Sequence, residues 1–330
     1  MIISRTPVRL SFFGGGTDYR EYFERRGGAV LGATIDKHTY ISVNRLSDFF
    51  DYKIRVGYSK AELVNDVDDI VHPSVRETLK FMKVKGNLDI HIFADLPART
   101  GLGSSSSFTV GFLNALYALE GRTVSPARLA EEATYIEQRM IGETVGCQDQ
   151  VHAAYGGVNL VEFSATGTAV KPVVMSPEKR ALLNSSLMIF YTGQTRYASE
   201  VAKEQCRNTG RGSLDGYLER MHAMVYEAEK IISDSTPSAM VKKLGGLLDE
   251  GWRLKKKLSG KITNQLIDRS YAAAMKAGAY GGKIAGAGGG GFLFLLAPKD
   301  RQAAVRRAIK LMEVDFSLGR EGSRIIYLTD

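Results

Sequence analysis

At 330 residues, with 44% hydrophobic and 24% charged side chains, the chain has the length of about two domains and an ordinary globular composition, which excludes intrinsic disorder, collagen-like repeats and coiled coil. The 44 basic and 36 acidic residues leave a net charge of +8, a balance open to anionic partners of several kinds, but no motif with interleaved aromatics marks a nucleic-acid binder and no apolar run approaches the roughly 20 residues that span a bilayer. Only two cysteines, Cys147 and Cys206, and an N-terminus without a signal peptide's apolar stretch lead to the expectation of a reducing, cytoplasmic location.

The departure from ordinary composition is glycine, 35 residues against eight prolines, gathered in clusters that punctuate the predicted elements. The first predicted strand, Val8 to Phe13, runs into Gly14-Gly15-Gly16-Thr17-Asp18. Three consecutive glycines remove every Cβ from a turn, so either a ligand can approach the backbone with Asp18 presented to it, or the segment is a plain hairpin turn. Strands are predicted at Tyr40 to Val43 and at Leu88 to Ala94, where Leu88, Ile90, Ile92 and Ala94 alternate at period two and His91 takes the opposite face as an ordinary strand residue.

The second cluster follows in Pro97 to Ser107, centred on Gly101, Leu102, Gly103, Ser104, Ser105 and Ser106. It opens a predicted helix with Phe108, Phe112, Ala115, Leu116 and Leu119 on one stripe, stopping at Gly121. Strand, glycine loop and helix start together aim free N–H groups and the positive end of the helix dipole at one point, which makes an anion site. Serine hydroxyls can bond phosphate oxygens or ligate a hard cation, and capping needs one serine rather than four.

A further helix is predicted to open on Ser125 as N-cap with Pro126 in its first turn. Glu137 in its last turn opposes the dipole, which points to a role outside the helix, metal ligation among them. Beyond it, Asp149 either caps the next helix or serves as general base toward a substrate hydroxyl.

Helical periodicity dominates residues 196 to 280, and the basic runs Lys255 to Lys257 and Arg306-Arg307 on amphipathic helices read as solvated faces. The third cluster, Gly278 to Gly291, satisfies the dinucleotide spacing at Gly286, Gly288 and Gly291 but runs into a strand, Phe292 to Leu296, and Gly282-Lys283 is followed by Ile284 rather than Ser or Thr. Neither a Rossmann nor a P-loop reading fits that context. What remains is a flexible loop around Gly288 and Gly289 able to close over a ligand. An amphipathic helix and a strand, Arg324 to Leu328, end the chain. Strands and helices interleave without regular strand-helix-strand repetition, which predicts an α+β fold.

In this order and at this spacing the three glycine motifs resemble the signatures of the GHMP kinases, the superfamily of galactokinase, homoserine kinase, mevalonate kinase and phosphomevalonate kinase, over essentially the whole chain. The segment Thr6 to Tyr19 is most similar to the heptose 7-phosphate kinase branch; galactokinases carry Glu-His where Gly15-Gly16 stand here. The resemblance implies two lobes, residues 1–172 in a ribosomal-protein-S5-like arrangement and 173–330 in a ferredoxin-like one. It also implies ATP phosphates on Gly101 to Ser106 and Mg2+ held by Ser105 and Glu137, with Glu143 as the fallback. Asp149 would orient or deprotonate a sugar hydroxyl and Arg9 would lower the pKa of that aspartate. The sugar would lie against Gly14, Gly15, Gly16, Thr17, Asp18, Gly288 and Gly289, and Arg20, Arg99 or Arg196 would meet a distal phosphate. The implied reaction is phosphorylation at C1 of a heptose already carrying a phosphate at C7, for activated heptose and surface polysaccharide, with a homodimer as the expected assembly and neither membrane nor nucleic acid as a partner. An anomeric kinase of an unphosphorylated sugar such as fucose, and a catalytically silent sugar or nucleotide sensor, are the alternatives on the same fold.

Overall fold

The computed structural model describes residues 1–98, 100–194 and 198–329. In chain order the first half holds β1 (Ile2–Phe13), α1 (Arg20–Arg26), β2 (Gly28–Arg45), β3 (Ile54–Gly57), β4 (Ala61–Val64), α2 (Pro73–Phe81), β5 (Leu88–Ala94), α3 (Ser104–Leu119), α4 (Pro126–Tyr135), α5 (Gln148–Tyr155), β6 (Val158–Ser164) and β7 (Gly167–Pro172). The second half holds α6 (Pro177–Ser186), β8 (Leu187–Tyr191), α7 (Ala198–Gly210), α8 (Asp215–Asp234), α9 (Pro237–Lys255), α10 (Gln265–Lys276), β9 (Gly281–Ile284), β10 (Phe292–Leu296), α11 (Lys299–Ile309), β11 (Met312–Val314) and β12 (Arg324–Leu328).

The architecture is the expected α+β, built on two sheets. An eight-stranded sheet runs β12-β1-β2-β5-β3-β4, with β6 and β7 branching from β2, and a four-stranded sheet runs β11-β8-β10-β9. The 18-residue β2 makes the branch possible: its start pairs with β6 over Gly28–Ala33, its end with β5 over Thr39–Arg45, and β1 lies along its other edge. The last strand returns to the first sheet, β12 pairing antiparallel with the start of β1, so the final residues of the 173–330 segment lie outside the second sheet.

Local signals account for most element ends. Ser125 accepts the Arg128 N–H at the start of α4, with Pro126 at the first helical position. Gly121, at φ +69°, follows the end of α3. In β5, Leu88 and Ile90 are buried, but burial fades toward the exposed Phe93 and Ala94 because the strand runs past the edge of the core. Helix α3 is apolar on most of its surface because it is covered twice. Phe108, Phe112 and Leu116 pack with Ile41, Val43 and Ile90, whereas Val110, Leu113 and Tyr117 pack with Leu129 and Ala133 of α4 and Val151 of α5.

The largest core joins the sheets instead of dividing between them. Leu10 and Phe12 of β1, Leu31 of β2, Met224 and Leu248 of the helical layer and Phe292 to Leu296 of β10 form one cluster, in which the Phe12 and Phe294 rings meet edge to face with centroids 5.9 Å apart. Phe12→Ala is therefore expected to lower stability by about 3–5 kcal/mol and to leave a single unfolding transition in calorimetry, since both lobes lose the same contact. Two separated transitions would show the sheets to be independent.

Candidate active site

The site is organised around Arg9, a buried side chain in the middle of β1 with a register shift between Pro7 and Arg9. Its Nε and Nη2 donate to Oδ1 and Oδ2 of Asp149 at 2.8 and 2.7 Å, and Nη1 donates to the Gly101 carbonyl at 2.6 Å. The Arg9 backbone N–H reaches the Leu102 carbonyl at 2.9 Å. Asp149 is the second residue of α5, in the first turn, where the helix dipole favours an anion. The two-point fork fixes the plane of the carboxylate as well as its position. It leaves each oxygen a further lone pair for a substrate hydroxyl.

The glycine loop before α3 lies against this pair. At Gly103, φ is +76° and a Cβ would stand 3.1 Å from Asp149 Oδ2, so backbone conformation and space both require glycine. No side chain caps α3, and its first N–H groups and the dipole stay available to an anion. The serines divide their work. Ser107 donates to the Thr6 carbonyl at 2.9 Å and Ser106 bonds Glu137 Oε2 at 2.8 Å, while Ser105 is exposed and Ser104 half-buried.

Glu137 does not sit in the last turn of an α-helix as expected. Helix α4 ends at Tyr135 and continues as a π turn over Ile136–Met140, whose extra residue rotates Glu137 inward until it is fully buried. Gln150 joins Ser106 on Oε2, and Oε1 has no hydrogen-bond partner. Burial pushes this carboxyl up to about 7, the hydrogen bonds from Ser106 and Gln150 oppose the shift, and nearby Glu143 adds to it. A buried carboxylate oxygen without a partner, beside a serine hydroxyl and an uncapped helix start, fits a hard cation. Among the described residues no group of three or more His, Cys, Asp or Glu side chains could hold a metal, so a cation here would complete its shell with phosphate and water oxygens, as Mg2+ commonly does. The hydroxyl paired with Glu137 belongs to Ser106 and not to the expected Ser105, because Ser105 lies on the exposed side of the helix.

The first glycine turn is a structural clasp. Thr17 Oγ1 is fully buried, 2.8 Å from the carbonyls of both Gly14 and Ala29, and accepts the Ala29 N–H. Those backbone groups use its hydrogen-bonding capacity, and Gly14 and Gly16 are buried with it, which leaves the half-buried Gly15 as the accessible glycine of the turn. Asp18 is buried too. Its Oδ1 accepts the Gly16 N–H at 2.9 Å, Oδ2 accepts Gln148 Nε2 at 2.9 Å, and its carbonyl accepts the Cys147 N–H. Burial raises the Asp18 pKa, and the neighbouring Asp149 charge raises it further. Asp18 thus holds the segment that carries Asp149.

The third cluster, expected to be a flexible closing loop, is a packed junction. A Cβ on Gly286 would stand 2.5 Å from Gly101 Cα, so the third loop touches the phosphate loop backbone to backbone. Gly289 donates to the Ile262 carbonyl at 2.7 Å, and Gly288 packs on the same residue. Lys283 is buried and donates to the Phe12 carbonyl at 2.9 Å, a group freed by the register shift between Ser11 and Phe13 in β1. Lys255 also departs from its sequence reading. It is buried, and its Nζ donates to the Gly286 carbonyl. The signal was present in the sequence: Lys255 continues the apolar stripe of Leu244, Leu248 and Trp252 on α9. Arg306 and Arg307 are exposed as read. Arg20 is exposed and pairs with Glu24 at 3.7 Å, and Arg99 and Arg196 lie outside the described residues.

Because the Glu137 carboxyl titrates near 7 in the folded protein against 4.5 ordinarily, the native state holds its proton where the unfolded chain has lost it, and stability falls as pH rises through that window. The stability of Glu137→Gln relative to the unmodified protein is expected to increase from about pH 5 to about pH 8 by up to about 3 kcal/mol in metal-free denaturant titrations. Comparing the two proteins cancels the opposite effect of His152, which burial pushes down to about 3. A difference that does not vary with pH would show Glu137 to be ionised in the folded state throughout.

This arrangement can bind a polyanion at a helix start, place a carboxylate beside it and neutralise charge with Arg9. Comparison with known proteins agrees with that chemistry. The chain is 30% identical to the D-glycero-alpha-D-manno-heptose 7-phosphate kinase of Campylobacter jejuni over 97% of its own length and 97% of that protein's. It is 26% identical to the galactokinase of Pyrococcus furiosus, covering 93% and 92% of the two chains. Its fold superposes on the crystal structure of a D-glycero-D-manno-heptose 1-phosphate kinase from Bacteriodes thetaiotaomicron with a TM-score of 0.79 at 22% identity, over 100% of both chains. The models of the GHMP kinase N-terminal and C-terminal domains match residues 70–157 and 239–313. By these matches the chain belongs to the GHMP kinases and is an ATP-dependent kinase.

Proposed function

We propose that this kinase transfers the γ-phosphoryl group of ATP to the anomeric C1 hydroxyl of D-glycero-D-manno-heptose 7-phosphate, giving the 1,7-bisphosphate for activated heptose in surface polysaccharide synthesis, in the cytoplasm. The observation that carries the reaction type is the Asp149 carboxylate held in the Arg9 fork directly against Gly103 at the open start of α3. The C. jejuni relative supports the acceptor. Residues 1–172 would carry the phosphate loop and 173–330 the packed glycine loop.

In this reading Gly101 to Ser106 bind the ATP phosphates through backbone N–H groups. Asp149 accepts the hydrogen bond of the C1 hydroxyl, aims its oxygen at the γ-phosphorus and takes the proton as the new bond forms. Phosphoryl transfer needs positioning more than a strong base, so an aspartate oriented by a guanidinium fork is adequate. Arg9 holds that carboxylate and offsets charge on the transferring group. Ser106 and Glu137 would hold Mg2+, which when bound neutralises phosphate charge. Gly15 and the Asp18–Gln148 pair border the sugar position, and Arg20, Arg99 and Arg196 remain the candidates for the C7 phosphate.

Asp149→Asn keeps the side chain's shape and is expected to fold and bind ATP while kcat falls on the order of a thousandfold; a variant within a few-fold of the unmodified rate would remove Asp149 from the mechanism. Substrate identity is tested by coupled ADP release with heptose 7-phosphate, free heptose, fucose and galactose. The expected outcome is a kcat/KM for the 7-phosphate at least about a hundredfold above the free sugars, the magnitude of a lost charge-assisted phosphate contact. Equal or better turnover of fucose would overturn the acceptor assignment.

A further inference from the structure

Lys255 is the charged group near the site that the mechanism above leaves unused. It is the last residue of α9, only 6% exposed, and among the described residues its ammonium has a single hydrogen-bond partner, the Gly286 carbonyl. An ammonium has three donors, and burying one without a counter-charge is strongly unfavourable. The position is specific. Gly286, with Ala285 before it, touches Gly101 of the phosphate loop, and the segment after α9 places Leu258 under Gly16 and Ile262 under Gly288 and Gly289. Lys255 therefore stands where the first, second and third glycine segments converge.

The charges around it do not balance. Among the described residues the cations buried beside it are Arg9 and Lys283, the carboxylates within its electrostatic range are Asp18 and Asp149, and the other buried carboxylate of the site, Glu137, is pushed up to about 7 by burial. Arg9 is matched by Asp149. Asp18 is held by neutral amide donors, and Lys283 is directed to the Phe12 carbonyl. Lys255 lies within electrostatic range of Arg9, Asp18 and Asp149 but forms no ion pair with them. Burial and Arg9 push its ammonium down to about 8, while Asp18 and Asp149 oppose the shift. An anion brought beside it would supply the missing counter-charge.

We infer that Lys255 is a second phosphoryl-binding cation, which exchanges the Gly286 carbonyl for an oxygen of the terminal phosphoryl group of the bound nucleoside triphosphate. It would share with Arg9 the neutralisation of that group during transfer. A purely structural role, capping the Gly286 carbonyl, predicts a different response to the nucleotide. The inference rests on nucleotide binding and not on which sugar is the acceptor, so it is tested without acceptor, and failure of the acceptor assignment would leave the result readable.

The test is calorimetric titration of the full chain with a non-hydrolysable ATP analogue and with ADP, both with Mg2+, for the unmodified protein, Lys255→Met and Lys255→Arg. Loss of a charge-assisted bond to the terminal phosphoryl is expected to weaken the triphosphate analogue about tenfold or more in Lys255→Met while ADP stays within about twofold, and Lys255→Arg retains most of the preference. Equal weakening of both nucleotides, or of neither, overturns the inference in favour of a structural lysine. If Lys255→Met does not fold, the pH dependence of the unmodified protein decides. Its preference for the triphosphate should decline above about pH 8 as the ammonium deprotonates, while that of Lys255→Arg persists, the analogue's own ionisation being common to both. Parallel profiles in the two proteins would overturn it.

Discussion

The three-way junction made by Arg9 is the constraint on which the rest of the site depends. One guanidinium bonds both oxygens of Asp149 and the carbonyl of Gly101, and the same residue's backbone bonds the Leu102 carbonyl. It thereby ties β1, the glycine loop before α3 and the start of α5 into one unit. A charge buried this deeply is tolerated only when every part of its fork is matched. The matching also fixes the orientation of the Asp149 carboxylate, which the proposed catalysis by positioning requires.

The glycine clusters serve that unit in three different ways. The loop before α3 leaves N–H groups free and makes room for Asp149 at Gly103. The turn at Gly14 to Asp18 is closed by Thr17 and fastened by Asp18 to the segment leading into α5. The third cluster lets two loops from different sheets meet backbone to backbone, Gly286 on Gly101. Because the core runs continuously from Phe12 to Phe294, this meeting is set by packing. The loop before α3 is consequently backed by a junction packed backbone to backbone.

Much of the local structure was legible in the residues. The alternation of Leu88 to Ala94, the Ser125-Pro126 start of α4, the stop at Gly121 and the run Phe292 to Leu296 each follow from backbone chemistry within a few residues. The anion loop was legible for the same reason, since a strand, glycines and a helix start suffice to define it. Misreadings arose where a side chain's partner was distant in sequence. By charge Lys255 belongs to a solvated face, whereas its place on the stripe of Trp252 buries it. Ser105 and Ser106 are indistinguishable until the helix rotation is known, and only the π turn at Ile136–Met140 decides that Glu137 faces Ser106.

The sequence by itself determined the α+β alternation, the three glycine segments, the kinase family and the candidacy of Arg9 and Asp149, all of which are encoded in residue type and short-range spacing. Tertiary structure alone decided which of those residues act together. The pairing of β1 with β2, the docking of α5 against them and the joining of two sheets in one core bring Arg9 to Asp149 across 140 residues and Lys255 to Gly286 across 31. Such contacts depend on long-range strand register and on cavity-free packing, and neither leaves a periodic signature in the chain.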